Sequence, residues 1–192
     1  WCPPGFITKP VTNTGFFFRV DYDFHRQQLP CTIRIWNSEL SVSQNHTAQL
    51  LPGSTIANRY LIESVLGAGA FGTVYGAFDI ETSTEIALKV LHEQHHSQER
   101  ARSMMLREGK ILQKLEHPNV VKCYETWEDE GGAVYIATEL LEGETLAAYF
   151  KRSQKLDPVF VLTVAEQLAD ALAHLHERGV VHRDIKPENI FI

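Results

Sequence analysis

Cysteine is scarce: Cys2, Cys31 and Cys123 are the only three in 192 residues. An odd number at such wide spacing builds neither a disulfide framework nor a zinc-ligand pattern, so a reducing, cytoplasmic setting is expected. No run of 18 or more apolar residues occurs. Gly15-Phe16-Phe17-Phe18 is far too short to cross a bilayer, so this stretch is expected to carry no membrane segment, although an anchor could lie elsewhere in a parent chain. Excess positive charge is also missing, with 18 Lys and Arg against 24 Asp and Glu and a formal charge of −6. That balance excludes a broad basic field and with it nucleic acid as the main partner, whereas a nucleotide needs only a few well-placed cations. What is present, 44% hydrophobic residues, suffices to bury a sizeable core in one domain or a little more.

Two segments differ in how much they say. Residues 1–56 carry no motif that ties to chemistry. Short strands are expected at Gly15-Phe16-Phe17-Phe18-Arg19-Val20 and at Thr32-Ile33-Arg34-Ile35-Trp36, which alternates with a period of two. Pro3-Pro4-Gly5 and the Ser-, Gln- and Asn-rich stretch from Ser41 to Gly53 read as loop or linker. This extension is either part of an upstream module or a poorly ordered segment. From residue 57 onward the pattern sharpens. Tyr60 to Leu66 reads as a strand, Gly67-Ala68-Gly69-Ala70-Phe71-Gly72 as a glycine-rich loop, and Thr73 to Phe78 as a second strand. Glycines there let backbone amides approach phosphate oxygens. A dinucleotide-binding loop would open a helix, whereas β-branched and aromatic residues follow this one.

Glu85 to Leu91 is expected as a third strand, with Ile86, Leu88 and Val90 on one face and Ala87 and Lys89 on the other. A helix follows, capped by Ser97, whose apolar stripe of Ala101, Met104, Ile111, Leu112 and Leu115 includes Glu108. A carboxylate on a buried face needs a cation, because desolvating it unpaired costs several kcal/mol. Lys89 is the obvious candidate. His92, His95 and His96 between strand and helix lack the Cys, Asp or Glu that would complete a metal set, and are expected to be solvated. His117-Pro118 ends the helix. Strands around Val121 to Tyr124 and Ala133 to Ala137, with a turn at 128–132, would complete a five-stranded antiparallel sheet. Thr145 to Ser153 is expected as a short helix. Asp157-Pro158 then caps a long one with a stripe of Val161, Val164, Leu168, Leu172 and Leu175, stopped by Gly179.

The last twelve residues, Val181-His182-Arg183-Asp184-Ile185-Lys186-Pro187-Glu188-Asn189-Ile190-Phe191-Ile192, resemble the catalytic loop of eukaryotic-type protein kinases. Together with the glycine-rich loop and the Ala87-to-Lys89 strand, the resemblance covers roughly residues 58–192. It implies an α+β, protein-kinase-like fold: a five-stranded antiparallel N-lobe sheet with one helix, then the start of a helical C-lobe. It also implies ATP and Mg2+ as cofactors and a protein substrate with a Ser/Thr acceptor, since lysine two residues after the aspartate is the serine/threonine pattern. Asp184 would orient the substrate hydroxyl, Lys186 would offset charge on the γ-phosphate, and Asn189 would ligate magnesium. Lys89 would hold the α and β phosphates, with Glu108 as its ion-pair partner.

By the same resemblance Thr138 is the gatekeeper, the Glu139 carbonyl and Leu141 amide meet adenine, and Glu144 lies near the ribose. Leu66, Val74 and Ala87 would roof the base and Phe191 would floor it. Arg183 resembles the arginine of kinases switched on by phosphorylation. The flank Asn58-Arg59-Tyr60-Leu61-Ile62 resembles bacterial serine/threonine kinases. Starting at Trp1 and stopping inside an expected strand, the chain reads as a fragment. It holds no Asp-Phe-Gly after the catalytic loop, so the fragment alone is expected to have little or no activity. A pseudokinase or nucleotide-binding scaffold, and a small-molecule phosphotransferase, are the alternatives. The oligomeric state and the protein substrate are not legible.

Overall fold

A computed structural model describes residues 17–22, 50–153 and 155–192. The strand expected at 32–36, the loop at 3–5, most of the 41–53 stretch, Cys2 and Cys31 lie outside them. Of the described residues, 50–113 and 123–140 form a sheet unit; the others, with 17–22 among them, form a second, loop-and-helix unit.

β-Branched, aromatic and small apolar residues build the sheet unit. Strands β2 (Thr55–Ile56), β3 (Tyr60–Ala68), β4 (Gly72–Asp79), β5 (Thr84–Leu91), β6 (Cys123–Glu128) and β7 (Val134–Glu139) form one sheet in the order β2-β3-β4-β5-β7-β6. Every pair is antiparallel. The expected five strands are all there, and β2 adds a sixth at the edge because Thr55 and Ile56 pair with Leu61 and Tyr60. The core under the sheet is Tyr60, Ile62, Tyr75, Ala77, Ile86, Leu88 and neighbours. Burying each large apolar side chain contributes about 1.5–3 kcal/mol. Trp127 stacks between Tyr60 and Tyr135, with ring centroids 5.4 and 4.8 Å away.

Charge closes the β3–β4 hairpin. Asp79, buried at the end of β4, takes two hydrogen bonds from Arg59 at 2.8 and 2.7 Å. It also accepts from the Glu81 amide and the Thr82 hydroxyl, which shapes the turn into β5. Hydrogen bonding from the Arg59 guanidinium holds the Asp79 carboxyl well below the usual carboxylate range.

Helix α1 (Glu99–Leu112) begins at Gln98 without a side-chain cap, so Ser97 does not play the expected part. Its buried face is Ala101, Met105, Glu108, Gly109 and Leu112, not the expected stripe through Met104 and Ile111. Gly109 explains the rotation. A Cβ there would lie 2.1 Å from Thr126 Oγ1, so the missing side chain lets the helix backbone lie directly on β6.

The second unit begins with β1 (Phe18–Arg19), which pairs in parallel with β8 (Ile190–Phe191). Phe18 and Val20 are buried. Helix α2 (Leu146–Arg152) is capped by Thr145, whose hydroxyl accepts from the Ala148 amide. Helix α3 (Pro158–Glu177) is capped by Asp157, as expected. Its buried positions are Phe160, Val164, Ala171 and Leu175. Val161, expected inside, is exposed; Phe160 takes that role because its ring meets those of Tyr22 and Tyr149 at 4.9 and 4.8 Å. By length and mean hydropathy alone α3 could cross a membrane. Its polar Gln167, however, bonds within the unit to Asp21 and Asn119.

Candidate active site

In the sheet unit the glycine-rich loop joins β3 to β4. Gly72 is there because the chains touch: a Cβ on it would lie 2.4 Å from the Val90 carbonyl oxygen. The Gly69 amide donates to the Gly72 carbonyl at 2.9 Å, which closes the loop on itself. A Cβ on Gly67 would meet nothing within 4 Å, and one on Gly69 only the Gly72 carbonyl oxygen at 3.7 Å. Ala68, Ala70 and Phe71 are exposed, while Leu66 and Val74 are half-buried. The histidines that follow β5 differ from the solvated cluster expected. His92 shares a 3.0 Å hydrogen bond with the Thr73 hydroxyl, His95 lies 3.3 Å from the Ala70 carbonyl oxygen, and His96 lies 3.0 Å from that of Leu91. The β4–β5 register, continued one pair beyond Gly72 and Leu91, sets His92 opposite Phe71, and a helical turn at Glu93–His95 keeps His95 beside the loop.

Lys89 lies opposite Val74 on one side and Ile136 on the other. Its Nζ donates to Glu108 Oε1 at 2.8 Å, with side-chain exposures of 18% and 8%. A cation and an anion this far removed from water each require the other, because breaking such a pair leaves an uncompensated buried charge. Ala87 sits between Gly76 and Thr138 in register. The Thr138 hydroxyl donates to the Ala87 carbonyl at 3.4 Å, and β7 ends at Glu139.

The second unit carries the acidic loop. Arg183 takes a left-handed backbone, φ 67°, that turns the chain immediately before Asp184. Lys186 Nζ donates to Asp184 Oδ2 at 2.8 Å. Asn189, buried, donates through Nδ2 to the Asp184 carbonyl at 2.8 Å and to Oδ2 at 3.2 Å. The Lys186 hydrogen bond, with a further contribution from Asn189, outweighs desolvation and lowers the Asp184 pKa, so the carboxylate is ionised. The Asp184 amide in turn donates to His182 Nδ1 at 3.2 Å. His182 is buried against Phe18, ring centroids 4.8 Å apart. Phe191 meets Phe17 edge-on at 5.6 Å. Backbone bonds tie Glu144 to Ile192 in both directions, and the Glu144 carboxylate pairs with Arg152. Leu141 is half-buried beside that segment.

A profile described as the protein kinase domain matches residues 60–192. The chain belongs to the protein kinase family. Similar kinases include the serine/threonine-protein kinase PrkC of Bacillus subtilis, 38% identical over 143 residues. That match covers 74% of this chain and 22% of PrkC. The serine/threonine-protein kinase pkn3 of Myxococcus xanthus is 36% identical over 140 residues, 73% of this chain and 26% of its own. Among solved structures, the kinase domain of Mycobacterium tuberculosis PknI is similar at a TM-score of 0.62 and 30% identity. There the match covers 73% of this chain and 57% of the solved one. The chain therefore spans about a quarter of the length of these curated relatives. The antiparallel sheet with α1 against it is the kinase fold, as expected, and the curated relatives it resembles are serine/threonine-protein kinases.

Sequence reasoning missed what supports the kinase loop. Phe18, Asn119 and Gln167 anchor residues 17–22 beside β8, through Asn119 Nδ2 to the Arg19 carbonyl at 2.8 Å and Gln167 Nε2 to the Asp21 carbonyl at 2.9 Å. Only the aromatic and β-branched content of Gly15 to Val20 pointed to a strand, and it carried no hint of the partner.

Proposed function

We propose that the chain binds ATP with magnesium and forms part of a kinase that transfers the γ-phosphate to a serine or threonine hydroxyl of a protein. The observation that carries this is the Asp184 carboxylate, fixed between Lys186 and Asn189. A fixed carboxylate orients a hydroxyl and accepts its proton, and a cation beside it offsets charge on the transferred group. Asn189 commits its amide hydrogens to Asp184, which leaves Oδ1, a hard oxygen donor, for the magnesium. When bound, magnesium neutralises the charge developing on the phosphate oxygens. Lys89, extended by Glu108, supplies the cation for the α and β phosphates. The missing side chains of Gly67 and Gly69 leave room for phosphate oxygens to approach the loop backbone.

In the same reading Thr138 is the gatekeeper, Glu139 and Leu141 offer adenine an acceptor and a donor, and Glu144 lies toward the ribose. Leu66, Val74, Ala87 and Phe191 would supply the apolar contacts to the base. Residues 57–192 would be the kinase portion. We also place the chain in a reducing, cytoplasmic setting, on its three widely spaced cysteines.

Titrating residues 1–192 with magnesium-ATP tests the nucleotide reading. Submicromolar to millimolar binding is expected, and Lys89→Met is expected to weaken it by about tenfold or more, since the charged contact is worth roughly 1.4 kcal/mol or more. No binding by the wild type, or equal binding by Lys89→Met, would overturn it. Because the match covers 57% of the solved PknI kinase domain, little phosphoryl transfer is expected from these residues alone. Robust phosphorylation of a generic protein, abolished by Asp184→Asn, would show that they suffice.

A further inference from the structure

We infer that His92 and His95 are positioning residues for the glycine-rich loop, clamping its 70–73 tip in the conformation that receives nucleotide phosphates. The clamp rests on the ATP reading for its purpose but not for its geometry. Three kinds of contact make it. The His92 backbone amide donates to the Phe71 carbonyl at 2.8 Å, while its ring Nε2 lies 3.0 Å from the Thr73 hydroxyl. His95 Nε2 lies 3.3 Å from the Ala70 carbonyl oxygen, and its ring packs on Phe71 with centroids 5.4 Å apart. The two imidazoles lie nearly parallel, 6.3 Å apart. The loop is thus held at Ala70, Phe71 and Thr73 by a segment that begins immediately after β5.

The chemistry gives the clamp a reason. A loop with glycine at 67, 69 and 72 loses more backbone entropy on ordering than the same loop with alanine there, and binding must bear that loss unless something else has ordered the loop first. Preordering raises apparent affinity by the fraction of loop already in the competent state. Histidine suits the task because one flat ring offers both a hydrogen bond and an apolar face, here used by His95 on the Ala70 carbonyl and on Phe71. Burial, with the neighbouring His95, lowers the His92 pKa and so favours the neutral ring. In the neutral form a ring nitrogen and the Thr73 hydroxyl make one hydrogen bond whichever of them donates.

Two amides report the clamp directly: Gly69 within the loop, bonded to the Gly72 carbonyl, and His92 beside it, bonded to the Phe71 carbonyl. Hydrogen exchange would be measured at both in residues 1–192, alongside the magnesium-ATP dissociation constant and the thermal midpoint. His92→Ala combined with His95→Ala is expected to speed exchange at both amides by about tenfold, with the rest of β3–β5 unchanged. It is expected to weaken magnesium-ATP by about three- to tenfold at an unchanged thermal midpoint. His95→Gln, which keeps a donor for Ala70, is expected to recover more than half of the exchange protection lost in His95→Ala. Unchanged exchange in the double variant would overturn the clamp, as would a loss of protection spread evenly over the sheet. A wild-type chain that binds no magnesium-ATP would overturn the nucleotide reading instead, and the exchange rates would still decide the clamp.

Discussion

In the sheet unit Lys89 and Glu108 meet from two regular elements, a strand and a helix, whereas in the second unit Asp184, Lys186 and Asn189 lie within six consecutive positions. Backbone hydrogen bonding within β5 and α1 fixes the first pair, so its geometry is as stiff as the elements that carry it. The second cluster sits on irregular chain. What stiffens it comes from far away in sequence: Phe18 under His182, and Asn119 and Gln167 holding residues 17–22 in place. A charged site can therefore be rigid through its own secondary structure or through remote packing, and the two should fail differently.

The largest effect should come from Phe18→Ala, since emptying a fully buried aromatic site costs about 3–5 kcal/mol. Exchange protection at the Val20, Asn189 and Ile192 amides should collapse while Gly53 and Ile62 in the sheet unit keep theirs. Equal loss in both units would break the contrast. Next is Gly109→Ala. Alanine is the better helix former by about 1 kcal/mol, yet overpacking against Thr126 should leave a net loss of about 1–3 kcal/mol in urea denaturation. Thr126→Ala removes the two atoms that would lie at 2.1 and 2.7 Å, so the double variant should recover part of it. A Gly109→Ala chain as stable as the wild type would mean that α1 is not pinned to β6.

Acid sharpens the contrast at a smaller scale. Asp79 is held ionised below its usual range, so its contribution is fully present above an unfolded carboxylate pKa of about 3.9 and is lost as pH falls through the lower folded value. Denaturation midpoints should therefore drop between about pH 4 and pH 2. Asp79→Asn should flatten that drop and cost about 1–3 kcal/mol at neutral pH. An unaltered slope would mean that Arg59 does not depress the carboxyl. The smallest effect belongs to Asp157→Ala, which removes the bond from the Val159 amide and should cost about 1 kcal/mol, read as fraying at the start of α3.

Period-two alternation was enough to place Ile86 and Leu88 inward and Lys89 on the other face, and the helical period put Glu108 on the buried side, because burial enforces those repeats. Short capping and turn signals worked for the same local reason at Asp157 and at the glycine-rich loop. The face of α1 was misjudged by one position, Met105 for Met104, because Gly109 lets the helix approach β6 in a way that no one-dimensional period encodes. Phe160 in place of Val161 follows from ring contacts with Tyr22 and Tyr149, residues distant in sequence.

By itself, then, the order of residues determined the strands, the helices and which charged groups must find partners, since each of these depends on neighbours within a few positions. Tertiary structure alone decided that Phe18 lies beneath His182 and that His92 and His95 grip the glycine-rich loop. Those contacts join segments whose separation along the chain bears no relation to their distance in space.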